Sequence, residues 1–383
     1  MKDYVFRKEY LYIYLSKFCY AFSNALVSIF GVVMLYKNGM GITSLLLLYG
    51  IRFGIMGLCS PLCMKIASKW GVANCTLISH VFRMLSSYLI LFVTQEQMIL
   101  LVLFLALPGA ISNPLDNAIS SKYVENSHRG KFNSLKTIMQ ILGQALASVV
   151  VGWSVLAQKE IGLLGIMAIF FIADYIFTCK IDYKPVHAKK NTLLAIGQYI
   201  RKCPNSLKQF YSLQTFQIIE RLFLPLYVYL TLKDFVAFTT VVTISLFIQV
   251  VTVFLTGKMA DRNLKKTNSI VSLCKMAIST IFLVSKNKVV VSGNKMISDN
   301  FEKIYNTSLN TIAQNEMKNS PEEQTFLSTV CQMCLCFTEV VVFLGLSMIS
   351  IFLKEQVFIW IFALSIWATA MMMQMMNQMI TKK

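Results

Sequence analysis

Acid is scarce in this chain. Only 18 Asp and Glu stand against 36 Lys and Arg, and charged residues of either sign make up 14% of its 383 residues. A soluble domain carries about a quarter of its residues as charges, so this shortage excludes a protein that must cover itself with a polar surface. Histidine occurs three times, at His80, His128 and His187, too few and too scattered for a histidine metal cluster. Ten cysteines are present, but the C-x-x-C spacing within Cys331, Cys334 and Cys336 falls in an apolar run with no histidine near it. These three read as packing residues, and neither a metal nor another cofactor is expected. No phosphate loop or activated nucleophile is visible, so an enzyme is not expected. The ten-residue alternation of an outer-membrane strand is missing too.

Apolar residues fill the space that charge leaves. They account for 56% of the chain, with a mean hydropathy of +0.60, and they come in runs near the roughly 20 residues that a membrane-spanning helix needs. The runs predict spans at 11–36, 41–63, 75–93, 97–121, 132–157 and 161–179 in one half of the chain. In the other half they fall at 208–231, 235–256, 268–284, 289–314, 323–350 and 355–380. Twelve spans give an all-α integral membrane protein of two six-helix bundles, 1–180 and 208–383, joined by a basic linker at 181–207. The first apolar run is too long for a cleavable leader and lacks a small-residue cleavage site, which makes it an uncleaved anchor.

The net charge of +18 invites a nucleic-acid reading until its placement is followed. Lys180, Lys184, Lys189, Lys190, Arg201 and Lys202 crowd the linker, and Lys258, Arg262, Lys265 and Lys266 crowd a second loop on the same side of the membrane. Loops on the other side carry at most two basic residues each. This is the positive-inside bias. It puts both termini in the cytoplasm, at the inner membrane, and removes nucleic acid as a partner. Lipid headgroups are the expected neighbours of the linker, and a monomer is expected.

Ionisable groups inside spans are costly, about 2.5–3.5 kcal/mol each on insertion scales, and mark function by default. In span 1, Lys17, Tyr20 and Asn24 share one face; Lys17 reads either as part of that face or as a snorkelling end group. Arg52 in span 2 lies among Gly50, Gly54 and Gly57, a spacing for close helix approach that lets it bond a neighbour's carbonyls. Span 3 holds Arg83. Span 4 holds Asn113 and Asp116; Asp116 serves proton or cation handling, or else a structural salt bridge to Arg83 or Arg52. In span 7, Gln214, Gln217 and Arg221 lie on one face with Glu220 beside it. Neighbours i and i+1 diverge by about 100°, so Glu220 and Arg221 must look to other helices. Span 9 carries Lys275. Span 10 sets Lys295, Asp299, Glu302, Asn306 and Asn310 along one face, and span 11 has Glu339.

Two loops tie these spans to a known family. Gly257-Lys258-Met259-Ala260-Asp261-Arg262-Asn263-Leu264-Lys265-Lys266 resembles the G-x-x-A-D-R-x-G-[KR]-[KR] loop of the major facilitator superfamily of transporters, with Leu264 in place of the glycine. Met64-Lys65-Ile66-Ala67-Ser68-Lys69-Trp70-Gly71 is similar to a second copy that has Ser68 at the acid. Ser68 and Asp261 stand 193 residues apart, and Asn113 with Asn306, and Asn126 with Asn319, keep that offset. Arg129-Gly130 resembles the family's pattern after span 4, whereas the G-P pair of its drug/proton antiporters is absent from span 5. The resemblance implies two bundles around a central cavity lined by spans 1, 4, 7 and 10. It also implies a gating loop comprising Ser68, Lys69, Gly71, Gly257, Asp261 and Arg262.

Together these features point to a secondary transporter for a small molecule, working by alternating access. The arginines Arg52, Arg83 and Arg221 favour an anionic or zwitterionic cargo, and Glu220, Asp116 and Glu339, in that order, are the carboxylates for proton coupling. A lipid flippase of the same fold and a non-transporting membrane scaffold are the alternatives.

Overall fold

The computed structural model describes residues 8–92, 97–123, 129–181, 197, 201, 205–285, 287–316 and 321–381. All regular structure among them is helical. Span 1 is built from α1 (Lys8–Ser23), a π-helical turn at Leu26–Phe30 and α2 (Gly31–Lys37), with a bend of 48° between its two parts. Then come α3 (Ile42–Phe92), α4 (Met98–Tyr123), α5 (Arg129–Leu156) and α6 (Glu160–Cys179). The second half holds α7 (Asn205–Leu232), α8 (Phe235–Val284), α9 (Lys288–Glu316), α10 (Pro321–Leu353) and α11 (Val357–Thr381).

Eleven α-helices are therefore described where twelve spans were expected, and the two counts are compatible. At 1.5 Å per residue, 51 residues in α3 and 50 in α8 are each long enough for two crossings. Spans 2 and 3 merge because Gly71 alone makes the turn, with φ 81° and ψ 167°. An L side chain rarely adopts that φ, and glycine does so without penalty. Spans 8 and 9 merge likewise, with helical backbone running through the basic loop. Among the described residues, six segments are long and apolar enough to cross a membrane, or seven if the bent first pair is one span. Neither α7 nor α9 is among them, because each carries the charged residues that the interior uses.

Outward-facing positions are apolar, as a lipid-exposed surface requires: Leu58, Leu62, Ile99, Ile161, Val341 and Phe352 are all exposed. Inside, small residues bring helices together. Gly143 of α5 lies against the Phe18 carbonyl of α1, and Gly57 of α3 lies against Cys336 of α10. Cys336 thus packs, as its apolar setting suggested.

The two halves of the chain meet most extensively along α3 with α10 and α5 with α8. A hydroxyl pair crosses each seam, Thr43 with Ser350 at 2.8 Å and Ser148 with Thr243 at 2.7 Å. One end of the bundle carries the turns at 38–41, 157–159, 233–234 and 354–356. Each of those turns uses a positive φ, at Gly39, Gln158, Lys233 and Lys354. Just inside this end, the rings of Tyr49, Phe53, Phe223 and Phe343 pack across the halves, as do Phe30, Phe235 and Phe238.

A methyl at Gly143 has no room against the Phe18 backbone, whereas nothing lies within 4 Å of one at Gly162. Gly143→Ala is expected to lower stability by about 1–3 kcal/mol through overpacking. Gly162→Ala, on an open helix surface, is expected to be neutral or stabilising; thermal melting of the purified protein reads both.

Candidate substrate cavity

A cavity of about 310 Å³ lies between the halves, below the aromatic layer. It is lined from α1, both arms of α3, α4, α5, α7, the first arm of α8, α9 and α10. The expected spans 1, 4, 7 and 10 are among its walls, and the others contribute as well. Of the residues expected at the site, Asn24, Arg52, Arg83, Asn113, Arg221, Asp299, Glu302 and Glu339 line it.

On the second-half wall two cations, Arg221 of α7 and Lys295 of α9, are paired with carboxylates. Arg221 bonds one oxygen of Glu302 through both Nε and Nη2, each at 2.6 Å. Lys295 bonds Asp299 at 2.5 Å, one helical turn away on α9, so that face neutralises its own charges as its spacing implied. Asp299 also accepts from Ser245 of α8.

The first-half wall is different. Arg83 is only 6% exposed, and its partners are all neutral. Nη1 donates to Asn24 Oδ1 at 2.7 Å, Nη2 to Ser112 Oγ at 2.6 Å and to the Pro108 carbonyl at 3.5 Å, and Nε to Ser79 Oγ at 3.3 Å. The Tyr20 ring lies 4.7 Å from the guanidinium carbon. Among the described residues, no hydrogen bond of Arg83 goes to a carboxylate. Arg52 does what its glycine setting suggested and donates to a neighbour's carbonyl, Leu105 O of α4, at 3.2 Å. Its guanidinium also lies over Tyr49 and Phe53.

Two expectations about the carboxylates change. Asp116 does not meet Arg83 or Arg52; it is held between Lys17 Nζ at 2.6 Å and Lys136 Nζ at 2.9 Å. Those lysines come from α1 and α5, which flank α4 at that level, and Lys17 therefore pairs inside the bundle instead of snorkelling. Glu220, the first choice for a coupled proton, points away from the cavity into the second half. There Lys275 lies 3.2 Å from it, Ser298 donates at 3.1 Å, and Ser365 donates to its other oxygen. This knot joins α7, α8, α9 and α11. Glu339 is the reverse case: it is fully buried, and neither of its oxygens has a hydrogen-bond partner among the described residues.

Gln217 is buried beside Glu220 and does not line the cavity, and its amide has no hydrogen-bond partner among the described residues. Ser68 donates to Lys65 O at 2.8 Å, and Lys69 is exposed next to the Gly71 bend. The side chains of Gly257, Asp261 and Arg262 lie outside the described residues, as do those of Asn306 and Asn310 and most of the linker. Lys136, Gln140 and Gln144 were missed, although their i, i+4, i+8 spacing on α5 was readable. Gln140 and Gln144 line the cavity, and so does Gln332 of α10.

A family model described as Major Facilitator Superfamily matches residues 13–337. The chain belongs to the major facilitator superfamily. Members of this superfamily are transporters, and the chain is a multi-pass integral membrane protein of that fold. Among solved structures it is similar to a bacterial homologue of the iron transporter ferroportin in its outward-facing state, with a TM-score of 0.67 at 13% identity over 97% of this chain and 98% of the other. It is also similar to the human organic anion transporter MFSD10 (0.68, 12%, 96% and 99%). A third similar structure is the proton:xylose symporter XylE (0.70, 12%, 98% and 96%). At such identities the likeness is one of fold. No curated protein matches the sequence.

Removing one partner of a buried ion pair strands the other charge, at about 3–5 kcal/mol. Lys275→Met is therefore expected to destabilise the protein by that order, and the double variant Lys275→Met/Glu220→Gln to recover most of the loss. Chemical unfolding in detergent measures the difference.

Proposed function

We propose that this superfamily member is a secondary transporter for a small organic anion or zwitterion, whose acidic group Arg83 holds. The observation that supports this is the state of Arg83 itself. A guanidinium removed from water is costly unless an opposite charge compensates it, and every hydrogen bond of Arg83 goes to a neutral group. A carboxylate or phosphate entering the cavity supplies the missing charge. Arg52 adds a second cation to the same chamber, and about 310 Å³ suits a small ligand.

Glu339 gives the cavity its selectivity. Its carboxylate is unsatisfied and buried, so an ammonium beside the substrate's acid gains a partner there and a second acid is repelled. The halves then rock about this site so that it meets one side of the membrane at a time. The positive-inside bias supports an orientation with both termini in the cytoplasm.

The test is a thermal-shift screen of amino acids, monocarboxylates, dicarboxylates, sugar phosphates and neutral sugars, because a compound that binds only the folded protein raises its melting temperature. Stabilisation by an acid is expected, with the affinity falling at least about tenfold in Arg83→Ala, the loss of one charge-assisted contact. Glu339→Gln is expected to narrow the preference for amino acids over monocarboxylates. Stabilisation by a neutral sugar that is unchanged in Arg83→Ala would overturn the reading.

A further inference from the structure

The first half of the chain holds a second, smaller chamber, of about 60 Å³, between α1, the second arm of α3, α4 and α6. A water needs roughly 10–15 Å³ on this measure, so the chamber has room for several. Two carboxylates reach it. Asp116 is already held by Lys17 and Lys136. Asp174 is 2% exposed and accepts from Ser16 at 2.5 Å and from Thr178 at 3.4 Å. Beside it sits His80, 4% exposed, with Nε2 only 2.9 Å from Asp174 Oδ2. That contact lies off the line of a hydrogen bond, and Nδ1 has no partner among the described residues. Phe171 packs on the imidazole at 4.6 Å.

Buried polar nitrogens are rarely left unmet, and His80 lines a chamber large enough for water. The described residues include no group of three His, Cys, Asp or Glu able to hold a metal ion. What an imidazole and a carboxylate at 2.9 Å can share, in a chamber roomy enough for water, is a proton.

Arg83 forms the partition between this chamber and the substrate cavity. Ser79, Ser112 and Tyr20 all line the small chamber. Ser79 and Ser112 accept hydrogen bonds from Arg83, and Tyr20 lies against its guanidinium and faces both spaces. The charged and titratable groups around the pair are Lys17, Cys19 and Tyr20 from α1, Asp116 from α4, and Arg83 on the same arm of α3 as His80. Asp174 lies within electrostatic reach of Arg83.

We infer that the His80–Asp174 pair is a proton-binding site whose occupancy sets how strongly Arg83 holds an anionic substrate. With His80 neutral, the pair carries one negative charge, which competes with the substrate for the field of Arg83. A proton on the imidazole brings the pair to zero, and Arg83 is released to the substrate. Linkage makes the effect reciprocal: a bound anion favours the bound proton, so the two travel in the same direction. The coupling to substrate rests on the anion reading above; the proton site does not.

Both parts can be tested without substrate. In His128→Gln/His187→Gln protein, labelled with ¹⁵N in histidine and arginine and held in nanodiscs, His80 is the sole histidine. Its ring nitrogens are expected to pass from the neutral to the doubly protonated pattern between pH 8.5 and 5, at a midpoint displaced by Asp174→Asn. The ¹⁵Nε resonance of Arg83, assigned by its loss in Arg83→Gln, is expected to move with the same midpoint and to stay still when His80→Gln is added. A His80 resonance fixed over the whole range overturns the site. A His80 that titrates while Arg83 stays still overturns the coupling. Melting curves of the variants confirm folding, and Asp174→Asn supplies the proton-site readout if His80→Gln does not fold.

Discussion

A guanidinium inside a membrane protein has to find its compensation among groups the protein itself supplies, and among the described residues Arg83 hydrogen-bonds only to neutral ones. Asn24, Ser112, Ser79 and the Pro108 carbonyl satisfy its hydrogen bonds, which answers the geometric demand and leaves the charge. Such an arrangement stabilises the fold less than an ion pair does. It makes sense where the opposing charge comes and goes with a ligand.

Elsewhere the protein treats its buried charges in the opposite way. Asp116 is fixed between two lysines in the first half, and Glu220 is fixed by Lys275 and two hydroxyls in the second. Arg221 and Lys295 on the cavity's second-half wall have their own carboxylates. These closed sets tie helices together within a half and leave them rigid. The unclosed groups, Arg83 and Glu339, are in the walls of the cavity the halves share. The seams around it are apolar or hydroxyl-lined, built from glycine contacts and two hydroxyl pairs. Such contacts can separate and reform without stranding a charge, as rocking requires.

Run length and hydropathy made the helical membrane fold legible, because a bilayer sets helix length directly. The family glycine at Gly71 was legible too, although its consequence was not: one residue with a positive φ replaces a loop and merges two spans. The positions of most cavity residues followed from helical spacing, as with Asp299 and Glu302 on α9. Their partners did not follow, since a pairing such as Arg83 with Asn24, or Arg221 with Glu302, joins residues 59 and 81 positions apart. The surroundings of the carboxylates were not legible for the same reason. Glu220 and Glu339 both appear as single acids in apolar runs, and only packing shows that one is locked and the other open. The pairing of His80 with Asp174 was not legible either, since the two residues stand on different helices, α3 and α6, and 94 positions apart.

Transport of the kind proposed requires that the halves move about the cavity walled by Arg83 and Glu339, with the aromatic layer of Phe30, Tyr49, Phe223 and Phe343 as one of two states of that end. Distance measurement by electron spin resonance, with genetically encoded labels at Gly41 and Lys233, reads this motion, since a side chain at Gly41 meets nothing within 4 Å. Both positions lie on the turns above the layer, one on each half. Two populations of distance are expected, a short one matching this structure and a longer one, whose ratio shifts when a stabilising acid is added. A single distance that no ligand changes would contradict that motion.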